Sequence, residues 1–292
     1  MSAIAVAGDL CHREPMATRV RDLLTNELGE LRFEPSDKRI RAEIAGRTVV
    51  DSERAMLVWE PKRVVPSYAV PAADVDGELS ASATDRSPTS AADVVIAPEL
   101  DGRPVYDPSI PFSVHTADGT SLDLRSSGLE RRQAAFRPAD DALSGYLILD
   151  FNAFDAWYEE DEHNVAHPRD PFHRIDIVHS SRDIRVQRDG QTLARSSSPY
   201  ILFEPPLPVR YYLPPGDVDR DLLAPSDTTT YCAYKGRASY LSFDGEDVAW
   251  TYREPLREAA EVTDRVAFFN ERVDLVVDGV ALQRPVTPWS PR

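Results

Sequence analysis

Apolar residues recur at helical spacing over one stretch near the start of the chain. Pro15 suits a first helical turn, Val20, Leu23, Leu24 and Leu28 follow on one face, and Gly29 comes next. This pattern predicts a helix over 15–29, within an N-terminal arm (residues 1–30) that packs on the body. From about residue 31 the period changes to two. Arg39-Ile40-Arg41-Ala42-Glu43-Ile44 alternates, Gly46 turns the chain, Thr48-Val49-Val50 resumes, and Met56-Leu57-Val58-Trp59 is a further short apolar run. Short runs punctuated by Gly and Pro predict strands and hairpins. Near the end, Pro255 opens a short helix through Val262. Val266–Phe269 and Val273–Val277 then read as strands, with a turn at Asp278-Gly279.

The text of the first half returns about 144 residues later. Ser36-Asp37-Lys38-Arg39-Ile40-Arg41 corresponds to Ser180-Ser181-Arg182-Asp183-Ile184-Arg185, and Gly46-Arg47-Thr48-Val49 to Gly190-Gln191-Thr192-Leu193. Met56–Pro61 corresponds to Tyr200–Pro205, both ending in Glu-Pro, and Val65 and Tyr68 correspond to Val209 and Tyr212. One residue then slips, and Asp74-Val75 meets Asp217-Val218. The later parts match more loosely. His115–Gly119 lies on Cys232–Gly236, Ala135-Phe136 on Ala249-Trp250, and Pro138 on Pro255. A period this long indicates two tandem copies of one domain rather than a solenoid. The expected architecture is mostly β: a diverged first copy over 31–160, a junction at 161–173, a better preserved second copy over 174–284, and a tail at 285–292. Residues 77–93, rich in Ser, Ala, Asp and Thr, read as a mobile insertion into the first copy.

Composition narrows the functional classes. The 292 residues carry a formal net charge of −16, which disfavours non-specific binding to nucleic acid and favours solubility. The 24 prolines leave little room for long helices, while 10 Phe, 11 Tyr and 4 Trp supply large cores. Two cysteines, Cys11 and Cys232, are neither a disulfide framework nor a four-thiolate zinc site, and they fit a reducing cytoplasm. The apolar run Ala3–Ala7 is too short for a signal peptide, and no stretch reaches the length of a membrane span. No Walker loop, Gly-x-Gly-x-x-Gly motif or Gly-x-Ser-x-Gly elbow occurs.

The second copy resembles the bacterial domain of unknown function 427, a family also labelled nucleotidyltransferase-like. The resemblance is carried by Leu207–Pro214, Asp217-Val218, Thr230–Gly236, Ala238-Ser239-Tyr240, Ala249–Tyr252, Pro255 and Val266–Gly279. Ala233 departs from the family's usual Pro. The first copy looks like the degenerate partner of tandem members, without the Arg-Tyr-Tyr and Cys-x-Tyr-Lys-Gly text. The resemblance implies a compact, strand-rich fold of β-tent kind and no established activity.

The strongest candidate chemistry lies in Cys232-Ala233-Tyr234-Lys235-Gly236 together with Arg210, Tyr211 and Tyr212. Arg210 and Lys235 suit a carboxylate or phosphate, Tyr211, Tyr212, Tyr234, Tyr240 and Trp250 offer aromatic walls, and Gly236 allows close backbone approach. Cys232 beside Lys235 is a candidate nucleophile, and Lys235 a second catalytic candidate. The plainer reading makes Cys232 a buried small hydrophobe and Lys235 one half of an ion pair. Where the second copy has Cys232 and Lys235, the first has His115 and Asp118. The alternating acids Asp217, Asp219 and Asp221 read as an exposed loop. His163, His167, His173 and His179 read as part of a proline-stiffened junction, with no metal or cofactor expected. Three functions remain open: binding of a small anionic ligand in the second copy, transferase-type catalysis through Cys232 or Lys235, and protein-interaction scaffolding.

Overall fold

The computed structural model describes residues 17, 19–83, 94–96, 103–106, 108–126, 128–205, 207–287 and 289–291. Cys11, Pro15, the Ala3–Ala7 run and residues 84–93 of the expected insertion lie outside the described residues. The expected N-terminal helix is shorter than its periodicity predicts. α1 spans Val20–Thr25, and Val20 and Leu23 face solvent, while Leu28 beyond its end is buried. Six residues yield too few intrahelical hydrogen bonds to sustain a helix without tertiary support.

Among the described residues the first half contributes thirteen strands: β1 (Arg32–Pro35), β2 (Ile40–Ile44), β3 (Arg47–Ser52), β4 (Met56–Trp59), β5 (Ser67–Pro71), β6 (Glu78–Ala81), β7 (Val94–Ile96), β8 (Pro104–Tyr106), β9 (Gly119–Ser126), β10 (Leu129–Pro138), β11 (Tyr146–Leu149), β12 (Ala156–Glu159) and β13 (Glu162–Asn164). The second half contributes β14 (Asp176–His179), β15 (Ile184–Arg188), β16 (Gln191–Ser196), β17 (Tyr200–Phe203), β18 (Arg210–Leu213), β19 (Ala224–Cys232), β20 (Gly236–Phe243), β21 (Glu246–Pro255), β22 (Val266–Phe268), β23 (Asp274–Val277) and β24 (Val280–Ala281).

The two halves share one topology. The first builds a seven-stranded sheet in the order β1-β4-β5-β11-β10-β9-β6, and the second builds β14-β17-β18-β22-β21-β20-β19. Each also has a four-stranded sheet, β13-β12-β2-β3 and β24-β23-β15-β16, while β7 and β8 form a separate ribbon. Alternation on the strands puts apolar residues between the two sheets. Ile40, Ala42 and Ile44 point inward on β2 against Leu57, Val70 and Trp157, and Ile184, Val186, Ile201 and Leu275 do the same in the second half. Paired positive-φ residues close the hairpins at Ala45-Gly46, Asp189-Gly190, Asp244-Gly245 and Asp278-Gly279, as type I′ turns require.

Strand register corrects one detail of the sequence alignment. Leu57 stands opposite Tyr68, and Ile201 opposite Tyr211. Tyr68 is thus the counterpart of Tyr211, and Ala69, opposite Met56, is the counterpart of Tyr212, opposite Tyr200. The one-residue slip falls before β5, not after it. Tyr68 therefore faces the inter-sheet core, while Tyr212 faces the opposite side of its sheet. The looser correspondence holds. Gly119 opposes Pro138 as Gly236 opposes Pro255, and the Ala139 N–H donates to Asp118 O as the Leu256 N–H donates to Lys235 O. The short helix after Pro255 is a 3-10 segment, Arg257–Val262, kinked at Ala259.

That outer face of the second seven-stranded sheet carries its own core. Tyr212, Trp250, Tyr252 and Phe269 pack there against Ile175, Tyr234, Ala259 and Val262, with Trp289 from the tail alongside. The connection between halves is anchored on both sides. Asn164 donates to Tyr68 Oη (2.8 Å) and to the His167 carbonyl (3.1 Å), Arg169 Nε donates to Ala233 O (3.2 Å), and the Asp170 N–H donates to Tyr234 Oη (2.8 Å). A Cβ at Gly119 would overlap Arg137 O and the Phe136 ring, whereas one at Gly216 would meet nothing. Gly119→Ala is expected to lower stability by about 1–3 kcal/mol through overpacking. Gly216→Ala should stay within about 0.5 kcal/mol of the parent protein, and thermal or urea unfolding of the pair checks both.

Candidate functional site

A glutamate follows the inner strand of each half, inside the repeated Glu-Pro step. Glu60 and Glu204 are both buried, 1% and 5% exposed. Glu60 accepts from His115 Nδ1 (2.9 Å), from the Thr116 N–H (2.7 Å) and from the Ala117 N–H (3.1 Å). Burial alone would raise its pKa, but the His115 contact and these donors outweigh burial and hold it below the ordinary value. His115 is itself buried and stacks on Phe136 with centroids 3.9 Å apart.

The second half solves the same problem with other residues. Lys235 Nζ forms a short contact with Glu204 Oε2, and His173 Nε2 lies 3.1 Å from Oε1. Burial opposes ionisation of Glu204, yet Lys235 and His173 together bring its pKa down to about 2. Lys235 is pushed above its ordinary value, because Glu204 more than offsets the cost of burying the ammonium. An amine held protonated in this way is no nucleophile.

Arg210 is engaged likewise. Its Nη1 and Nη2 each lie 2.7 Å from the two oxygens of Glu271, which also accepts from Thr287 Oγ1 (2.7 Å). The guanidinium sits over Trp250 (5.4 Å) and Trp289 (5.9 Å). Arg210 and Lys235 thus occupy separate buried ion pairs. The Trp250 Nε1–H donates to Tyr212 Oη (3.1 Å), and burial lifts the Tyr212 hydroxyl to a pKa of about 12. Tyr211 faces the inter-sheet core, and Tyr240 bonds Thr230 (2.8 Å) and stacks on Phe269. Gly236, at φ 91°, starts β20 against Leu256 and Glu254. Cys232 is a half-buried free thiol, and its sulfur makes no hydrogen bond among the described residues. The sequence pattern thus finds residues that cluster, but their charges are spent on internal carboxylates.

The open space lies next to this cluster, where the two halves and their connection meet. A cavity of about 480 Å³ is lined by Lys38 from the β1–β2 turn, Arg169, His173 and Arg174 from the connection, and Tyr234 and Arg257 from the second half. A smaller one of about 210 Å³ adjoins it and shares Arg169, Tyr234, Arg257 and Glu258. Asp170 and Glu258 also line the larger cavity, so cations outnumber acids there. Lys38 is paired with Glu159 (2.6 Å) and Arg257 with Glu162 (3.4 Å). Arg169 uses only Nε, for Ala233 O, and Arg174 forms no ion pair among the described residues.

Tyr234 is the one sequence-nominated residue in this lining. Its packing on His173 (4.6 Å) and His167 (5.9 Å) connects the buried Glu204 cluster to the cavity. The other junction histidines go elsewhere, His163 to Tyr158 and His179 to Ser198. The acids Asp219 and Asp221 are exposed. Lys38, the pair Arg169 and Arg174, and Arg257 come from three separate stretches of sequence and carry no motif. The usable signal is the Glu-Pro repeat, because a glutamate placed directly after a buried strand demands a cationic neighbour.

Removing the Glu204 charge while leaving Lys235 buried is expected to be costly. Glu204→Gln should destabilise the protein by about 3–5 kcal/mol, the usual result of breaking a buried pair. The folded-state pKa of Glu204 is depressed from 4.5 to about 2, so its contribution is complete above pH 4.5 and is lost as the pH falls toward 2. Acid unfolding curves of the parent and Glu204→Gln proteins should converge over that interval.

Among the described residues no helix is long and apolar enough to cross a membrane. A comparison with curated proteins finds no match. The family model described as Domain of unknown function (DUF427) matches residues 32–91 and 176–279, a segment in each half and more than half of the chain. With matching strand order in the two halves, the chain belongs to the DUF427 family as a tandem member.

Proposed function

We propose that the protein binds a small anionic ligand in the cleft between the two halves. The observation that carries this reading is the convergence of Lys38, Arg169, Arg174 and Arg257 on one cavity, in a chain whose formal net charge is −16. Cations gathered against the overall charge raise the local potential for an anion. Arg169 and Arg174 offer planar donor forks that match a carboxylate or phosphate. Tyr234 supplies an aromatic wall with a hydroxyl that already accepts from Asp170 N–H, leaving its proton to donate. The volume of about 480 Å³ suits a metabolite-sized molecule.

The buried pairs Arg210–Glu271 and Lys235–Glu204 serve this site indirectly. They fix β18 and the turn before β20, and hence the position of Tyr234 and His173. Isothermal titration with phenyl phosphate and with benzoate tests the reading. Binding should weaken with added salt and fall about tenfold or more in Arg169→Gln, as loss of a charged hydrogen bond implies. Arg195→Gln, at an exposed position of β16, should leave it unchanged. Absence of heat for both ligands, or equal binding by Arg169→Gln, rules this cleft out.

A further inference from the structure

The cleft contains donors in excess, two carboxylates (Asp170 and Glu258), and an imidazole whose orientation a buried carboxylate fixes. The carboxylate of Glu204 accepts hydrogen bonds and donates none, so His173 Nε2, 3.1 Å away, must carry a proton. Lys235 holds Glu204 ionised from the other side, which keeps that tautomer in place. The remaining nitrogen, Nδ1, has no hydrogen-bond partner among the described residues, and His173 lines the cavity. In the neutral ring Nδ1 is a lone-pair acceptor. Arg169, Arg174 and Tyr234, which donate, line the same cavity, as do the carboxylates Asp170 and Glu258.

We propose that the ligand group recognised here is a phosphate monoester, with one proton shared between a phosphate oxygen and His173 Nδ1. The proposal rests on the anion-binding reading above and adds the identity of the anionic group. A phosphate monoester has a second pKa near 6, so near neutral pH it carries that proton itself or accepts it from imidazolium. Either way one proton bridges Nδ1 and oxygen while the other oxygens accept from the arginines. A sulfate ester has the same shape and oxygen count but no proton to share at any working pH. With it the bridging proton can come only from the imidazolium, and whenever the ring is neutral Nδ1 presents a lone pair to an anionic oxygen, which is repulsive, whereas the monoester can supply the proton itself. His173 is then the residue that selects between the two esters, and Glu204 and Lys235 are positioning residues that act through it.

The first half shows why this assignment falls on the second. There the counterpart glutamate, Glu60, is held by His115, which comes from the position of Cys232, is buried against Phe136, and lines neither cavity. The imidazole in that half is used for packing, whereas His173 reaches its glutamate from the connection and keeps one edge on open space.

The test compares phenyl phosphate with phenyl sulfate by isothermal titration of the full chain at pH 7. The parent protein is expected to bind phenyl phosphate at least about tenfold more tightly, in line with a charge-assisted hydrogen bond. It should also take up a fraction of a proton, seen as a dependence of the heat on buffer ionisation enthalpy. His173→Phe should lose the preference and the proton uptake while still binding phenyl sulfate within a few-fold of the parent. His173→Gln should lose the proton uptake as well, and it covers the case in which the Phe variant does not fold. Equal affinity for the two esters in the parent overturns the proposal while leaving anion binding intact. A preference that persists in both variants also overturns it, assigning selectivity to ligand charge alone. Binding of neither ester removes the anion-binding reading and this one together.

Discussion

A carboxylate placed directly after an inner strand of a β-sheet is driven out of water by the packing on either side of it, and the protein must then compensate its charge. Both halves carry this demand at the same point, Glu60 after β4 and Glu204 after β17. The cost of an uncompensated buried charge far exceeds that of any single surface contact. The elements around each glutamate are therefore arranged to bring donors to it. In the first half the segment before β9 curls so that His115 and two backbone amides converge on Glu60. In the second half Lys235 comes from the equivalent segment and His173 from the connection, so the compensation itself ties the connection to the second half.

That difference propagates to the surface. Where compensation is wholly local, as around Glu60, the site closes on an aromatic stack and stays internal. Where one partner arrives from outside the half, the connection must run across the outer face of the seven-stranded sheet. Its own basic residues, Arg169 and Arg174, then lie beside Tyr234 and Arg257 at the seam. The cleft is thus a by-product of how Glu204 is neutralised, and its positive character follows from residues that the interior leaves unneeded. Arg210 illustrates the opposite fate. Its guanidinium is locked by Glu271, which in turn accepts from Thr287, and is covered by Trp289, so the tail is bound into the second half.

Duplication let the two halves diverge at a few positions without changing their topology. Ala69 and Tyr212 occupy equivalent places opposite Met56 and Tyr200. The small residue lets the first half pack Phe136 and Ile148 on that face, and the tyrosine gives the second half a hydroxyl for Trp250. Asp118 and Lys235 are likewise equivalent in backbone and opposite in charge, and only the lysine reaches its half's glutamate.

The period-two alternation, the Gly-containing hairpin turns and the repeated Glu-Pro step are local properties, and the sequence alone determined from them a mostly β chain with two related halves. The short-range signal was weakest where neighbouring structure decides the outcome, as in α1, whose apolar periodicity continues past the six residues that are helical. The alignment slip was misplaced by a few residues because Tyr68 and Tyr212 match by type, whereas register follows from partner strands. Of the nominated site, the sequence found the residues that cluster: Arg210, Tyr212, Lys235 and Trp250. Whether a charge in that cluster is free or spent depends on where Glu204 and Glu271 stand, 31 and 61 residues away from their partners. The cleft residues Lys38, Arg169, Arg174 and Arg257 come together only when the two halves meet across the connection. Composition and spacing record which side chains exist and in what order. Compensation of buried charge is a distance-dependent, three-dimensional requirement, and it is the tertiary structure that decided which cations stay inside and which imidazole, that of His173, is left lining the opening.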